Sequence, residues 1–253
     1  MWEFGISIDK NKKSIIEFVF KKMQEYVKTY DGVVTMQEFP NKVSILIACN
    51  DYEKNRMILH LQELLSECIC YHYKKNFLIK NLNIKIGDEM SKKAFITALL
   101  FFDKETDKYI VNKYLNIDKK IDIDGFFNFK LQTLKNKWKE LIEIANKNDI
   151  YLYSYETFLE LVKFLVDNIE TKSDVINIMS SDDTYDIYDF KFQKIENIEN
   201  YDNKAENLLG ALIALCPKNI NIYCSEILPN NLKDLICKLF EKRVRFISKA
   251  TLN

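Results

Sequence analysis

The segment Ile121-Asp122-Ile123-Asp124-Gly125-Phe126-Phe127-Asn128-Phe129-Lys130-Leu131 sets two aspartates and a glycine directly ahead of three phenylalanines and a long amphipathic run. An Asp-Gly pair opening an apolar-periodic stretch reads as a helix start, with Asp124 as N-cap and Gly125 in the first turn. At about 100° per residue, Phe127, Leu131, Leu134, Trp138, Leu141, Ile142 and Ala145 fall within roughly a third of the helix circumference. A stripe that wide has to be buried against other elements. Phe129 lies off it, on the side of Glu140 and Glu143, and Phe126 sits at its margin. A large aromatic outside the core stripe either packs on a second internal element or faces a partner. Internal packing is the expectation, because contacts between parts of a chain use such anchors. Phe126, Phe129 and Lys130 are the candidate interaction or interdomain surface.

The same aspartates suggest a calcium loop, where carboxylates at alternate positions precede a glycine. Setting Gly125 at the sixth position puts Lys120 first and Leu131 twelfth, where carboxylates are needed, so the capped helix start is preferred. Cys68-Ile69-Cys70-Tyr71-His72 brings together thiol and imidazole, the groups zinc favours. On a continuous helix Cys68 and His72 share a face while Cys70 points about 200° away. No C-x-x-C pair supplements them, and His60 is the other histidine of the chain. A partly buried amphipathic helix is the plainer account. Low histidine usage also leaves little for general acid–base chemistry, and Glu63 and Glu67, a helical turn apart, suit a solvated face. With no nucleophile triad and no glycine-rich phosphate loop, no catalytic, cofactor-binding or metal-ligating residue is expected.

Along the chain the N-terminal part reads as strand, helix, hairpin, helix. Trp2 to Ile8 alternates, Ser14-Ile15-Ile16-Glu17 has the form of a capping box, and Val33–Phe39 and Val43–Cys49 are extended runs joined by Pro40-Asn41-Lys42. This βαββα order is compatible with a ferredoxin-like split βαβ, with Leu82–Ile86 available as the closing strand. Helical periodicity then takes over from Asp51, from Ser91, over Asp107–Leu115, after Gly125 to about Asn146, and over Ser154–Asn168. The tail changes period. Val175–Met179 and Ile187–Phe192 flank a polar turn, a helix from Lys204 ends at Pro217, Ile220–Cys224 is extended, Pro229 opens another helix, and Val244–Ile247 is a final strand. The expected architecture is α+β: an N-terminal βαββα unit (1–87), a helical bundle (88–170) and a C-terminal ββαβαβ α/β unit (171–253), its last two strands parallel.

Thirty-seven basic and thirty-seven acidic side chains cancel, so no global field draws in nucleic acid or an anionic membrane. Arg56, Arg243 and Arg245 are the only arginines, which removes the usual bidentate readers of guanine and phosphate. Lys130, Lys135, Lys137 and Lys139 make a basic stretch, but Glu140 and Glu143 follow at once, so a solvated lysine face is the simpler reading. The longest apolar run, Ala94 to Phe102, falls short of the roughly 20 residues a membrane helix needs. No signal peptide is visible at Met1-Trp2-Glu3-Phe4, so a cytoplasmic location is expected and the six cysteines are read as small buried hydrophobes.

The I-D-G-F-x-x-F-K-L character of the run from Ile123 to Leu131 resembles the YtxC-like family of sporulation proteins of endospore-forming bacteria. The similarity continues in Leu208-Leu209-Gly210-Ala211-Leu212-Ile213-Ala214-Leu215-Cys216-Pro217-Lys218-Asn219-Ile220 and in Ile227-Leu228-Pro229-Asn230-Asn231-Leu232. The N-terminal third matches in element order alone. The resemblance implies a cytoplasmic protein connected with endospore formation and brings no catalytic residues with it. The leading expectation is a non-enzymatic protein acting on a protein partner. The rivals are a nucleic-acid-binding module using the lysine faces, and an enzyme with its site near Cys224-Ser225-Glu226, at the carboxyl ends of the tail's parallel strands.

Overall fold

The computed structural model describes residues 1–85, 87–147, 154–181, 184–195, 204–223 and 228–247. In chain order these form β1 (Trp2–Asp9), α1 (Lys13–Val27), β2 (Gly32–Glu38), β3 (Lys42–Cys49), α2 (Lys54–Cys68), a π turn (Ile69–Tyr73), α3 (Lys74–Asn81), α4 (Glu89–Phe101), α5 (Lys104–Tyr114) and β4 (Lys120–Asp122). There follow the single turn α6 (Ile123–Gly125), a second π turn (Phe126–Lys130), α7 (Gln132–Lys147), α8 (Tyr155–Asp167), β5 (Val175–Ser181), β6 (Thr184–Tyr188), α9 (Lys204–Leu215), β7 (Asn219–Ile222), α10 (Asn230–Phe240) and β8 (Val244–Phe246). The architecture is α+β, with two compact units.

The first unit comprises Met1–Asn81 and Lys104–Glu143. Its sheet has the order β2-β3-β1-β4. Strict alternation sends Phe4, Ile6 and Ile8 of β1 and Val43, Ile45 and Ile47 of β3 to one face, where they are buried with Ile16, Val19 and Met23 of α1 and Leu61 and Leu65 of α2. Each such side chain contributes about 1.5–3 kcal/mol. A one-residue register slip would turn all of them to solvent.

β3 runs antiparallel to both β1 and β2, so β1 and β2 lie parallel astride it, as a split βαβ requires. The closing strand differs from expectation. Leu82–Lys85 carry no regular structure, and Ile86 lies outside the described residues. The edge is taken by Lys120–Asp122, parallel to β1. A second split unit would place that strand parallel to β3, but three further helices intervene and the chain returns in the opposite sense. The helix start of α1 also differs. A 3₁₀ turn at Lys10–Lys12 leads into α1, no side chain caps it, and Ser14 lies inside the helix. Glu17 pairs with Lys13 at 3.6 Å instead of reaching back to a cap.

The second unit comprises Leu82–Asp103 and Ile144–Asn253. Its sheet has the order β6-β5-β7-β8, with β5, β7 and β8 parallel and β6 antiparallel, giving the expected ββαβαβ. Ile176, Ile178, Ile187, Ile220 and Ile222 form its buried face. α9 is apolar around its whole circumference, from Leu208 to Leu215, and is accordingly enclosed, with α4 and α10 among its neighbours. Asp88 caps α4 and Ser154 caps α8, each accepting a backbone N–H three residues on.

Candidate functional site

β1 and β4 run parallel, and their carboxyl ends bring Ser7, Asp9, Asp122 and Asp124 together. The N-cap of the following turn is Asp122, not Asp124: its Oδ1 accepts the Gly125 N–H at 2.8 Å. Gly125 has ordinary helical dihedrals, so its value is steric. A Cβ there would sit 3.2 Å from the capping Oδ1, closer than side chains normally come. Asp122 Oδ2 accepts from the Ser7 hydroxyl at 3.0 Å and from the Lys42 ammonium.

Asp124, freed from capping, is buried at 5% exposure. It accepts from the Tyr73 hydroxyl at 2.9 Å, from the Asp9 N–H at 2.9 Å and from the Lys12 ammonium. Lys12 also lies over the Tyr73 ring, 4.7 Å from its centre. Burial alone would raise both carboxyls, but for each the donors outweigh it. Lys42, Gly125 and Ser7 hold Asp122 below the usual carboxylate range, and Lys12, Asp9 and Tyr73 do the same for Asp124. Burial and then Asp124 itself push the Tyr73 phenol up, so it stays a donor. Ionised carboxylates with their acceptor positions taken up by fixed donors hold geometry; they are poorly placed to move protons.

This cluster borders a hollow of about 300 Å³ on the open face of the first sheet, lined by Ser7, Gly5, Ser44, Thr35, Gln37 and Lys120 among others. The register explains it. Thr35, Leu46, Gly5 and Lys120 form one row across the four strands, and Gln37, Ser44, Ser7 and Asp122 the next. Gly5 in the first row and Ser44 and Ser7 in the second leave the backbone bare beside Leu46.

The two π turns meet at the same place, with Tyr73 and Phe127 ring centres 4.7 Å apart. Each π turn carries an extra residue per turn, so the wheel drawn for an uninterrupted helix fails ahead of Leu131. Phe126 and Phe127 are buried, whereas Phe129 is 80% exposed and Lys130 is exposed beside it. Of the two options open to an off-stripe aromatic, Phe126 takes the internal one and Phe129 the surface one. Farther along, Leu131, Leu134, Trp138, Ile142 and Ala145 are buried as a stripe. Two lysines of the basic stretch are engaged: Lys137 on Asp107 at 2.6 Å and Lys135 over the Phe127 ring.

Nothing in the sequence pattern marked Lys74 or Asp107, yet both are buried. Asp107 accepts from Lys74 at 2.7 Å, from Trp138 Nε1 at 3.0 Å and from Lys137, which ties α3, α5 and α7 together. Burial pulls the Lys74 ammonium below its ordinary pKa even with Asp107 opposing. Cys68 and Cys70 are buried and their thiols pushed up to about 12 by desolvation. Both histidines pack on aromatics, His60 against Tyr26 and His72 against Phe18 and Tyr71. Among the described residues no three histidine, cysteine or acidic side chains are grouped to hold a metal ion, and no helix is long and apolar enough to cross a membrane. Cys224, Ser225 and Glu226 lie outside the described residues.

Over 185 residues the chain is 26% identical to DNA-directed RNA polymerase subunit beta'' of Marchantia polymorpha, covering 68% of this chain and 12% of that one. No solved structure matches. A family model, that of the YtxC-like family, matches residues 59–245, which takes in both π turns, the Asp122–Leu131 segment and the strands and helices of the tail. With most of its length covered by that model, the chain belongs to the YtxC-like family.

Proposed function

We propose that this is a cytoplasmic, sporulation-associated protein that works by holding a protein partner and not by catalysing a reaction, with Phe129 and Lys130 as its contact point. Family membership supports the process. The contact rests on one observation: Phe129 stands 80% exposed at the end of a π turn whose neighbours Phe126 and Phe127 are anchored in the core. A rigid base beneath a solvated aromatic lowers the entropy lost on docking, and aromatics dominate contact energies. Lys130 beside it favours a socket that is apolar at its floor and acidic at its rim.

The test replaces the gene in its own organism by Phe129→Ala, alongside a full deletion. Spore yield and heat resistance are expected to fall in both, with the variant present at normal level. Normal sporulation after deletion removes the process; normal sporulation in Phe129→Ala with loss in the deletion removes the contact point.

A further inference from the structure

We propose that the hollow on the open face of the first sheet binds a small organic anion, its charged group held by Lys120 and its flat body lying over Gly5 between Lys120 and Leu46. This does not rest on the Phe129 reading.

The polar groups of the lining include no acid. Lys120, Thr35, Ser44 and Gln37 all carry donor groups into it, and none of their side chains makes a hydrogen bond or ion pair to another described residue. Asp122, in the row beside that of Lys120, already accepts from Gly125, Ser7 and Lys42. Lys120 sets the sign of the charge, and Thr35, Ser44 and Gln37, which can donate as well as accept, favour a ligand that brings acceptors. Phe39 and Leu46, 45% and 50% exposed, supply apolar flanks to the same space, the mixture of apolar wall and few polar groups that small-molecule sites use.

Gly5 is the decisive residue. It lies mid-strand, where glycine is disfavoured and often marks the close approach of a ligand or another backbone. Its backbone does not demand glycine: an added Cβ would meet Lys120 Cβ at 3.6 Å, an ordinary contact. What a side chain would do is fill the floor of the hollow. Lys120 and Leu46 stand two strand spacings apart, about 10 Å, and the two rows are about 7 Å apart. Those dimensions suit a single ring carrying an anionic substituent.

The experiment titrates phenyl phosphate, phthalate and inorganic phosphate into the full chain, followed by ¹H–¹⁵N shifts and by melting temperature. The expected result is saturable shifts of the Gly5, Thr35, Ser44 and Lys120 amides with at least one ring-bearing probe at millimolar concentration. Lys120→Gln should weaken binding about tenfold or more, and Gly5→Val should abolish it without lowering the melting temperature of the unliganded protein. Tighter binding of phenyl phosphate than of phthalate assigns a phosphate ester, and the reverse a carboxylate. Absence of saturable shifts, shifts confined to other residues, or equal affinity in wild type and Lys120→Gln would each overturn the proposal.

Discussion

Replacing Asp107 by alanine tests the packing of the first unit most severely. Asp107 is 0% exposed, and the Lys74 side chain that it neutralises is 1% exposed. Its removal takes from a buried ammonium the carboxylate 2.7 Å away and from Trp138 Nε1 its acceptor, while Lys137, 30% exposed, can turn to water. Breaking a buried pair from one side costs about 3–5 kcal/mol, a large part of the roughly 5–15 kcal/mol that holds a domain. The loss should also depend on pH. Burial already depresses Lys74 below 10.5, and losing Asp107 depresses it further. Between that folded value and the unfolded one near 10.5, the unfolded chain binds more protons, so the variant's stability climbs with pH and its deficit narrows as pH rises from the variant's folded value to the wild-type one. Urea unfolding followed by tryptophan fluorescence reads this unit specifically, because Trp2 and Trp138, the two tryptophans of the chain, both belong to it. Lys74→Met combined with Asp107→Leu should recover most of the loss, short of about 1–3 kcal/mol for the orphaned indole N–H. A loss below about 1 kcal/mol for Asp107→Ala, or one flat with pH, would refute the reasoning.

Asp122 and Asp124 titrate below the ordinary carboxylate value of 3.8 when folded, so their contribution is present above that value and is lost as pH falls through the folded ones. Asp124→Asn should lower stability by about 1–3 kcal/mol at pH 7 and flatten the acid limb of a stability–pH curve below about pH 4; an unchanged acid limb would contradict this. Phe127→Ala should cost about 3–5 kcal/mol, and Phe129→Ala less than about 1, by thermal or urea melting. Cys68 and Cys70, with thiols near 12, should stay unalkylated by iodoacetamide in the native protein and react fully in denaturant, as read by peptide mass spectrometry. Gly125→Ala should destabilise by about 1 kcal/mol through crowding of the Asp122 cap, although alanine has the better helix propensity.

Much of the fold follows from local pattern. The tail was legible because its strands alternate, its helices are bounded by Pro217 and Pro229, and α9 is apolar all round. The stripe from Leu131 to Ala145 was legible for the same reason. What escaped was decided by partners distant in sequence. Asp122 and Asp124 are equally good caps on paper; Lys12 and Tyr73 claim Asp124, and the cap passes to its neighbour. A strand of three residues, Lys120–Asp122, carries too little alternation to compete with Leu82–Ile86. The π turns break the 3.6-residue register that a helical wheel assumes for Phe126 and Phe129. The pairing of Lys74 with Asp107 has no local signature at all. The small outward residues Gly5, Ser7 and Ser44, by contrast, were present in the alternation and could have pointed to the hollow.

Contact with a partner protein is proposed for Phe129. A photo-crosslinking amino acid placed at position 129, and at the 71% exposed Tyr52 as control, can be activated in cells making spores. A discrete protein adduct at 129 that the control lacks is the predicted result; no adduct at 129, or the same adducts at both positions, would contradict it.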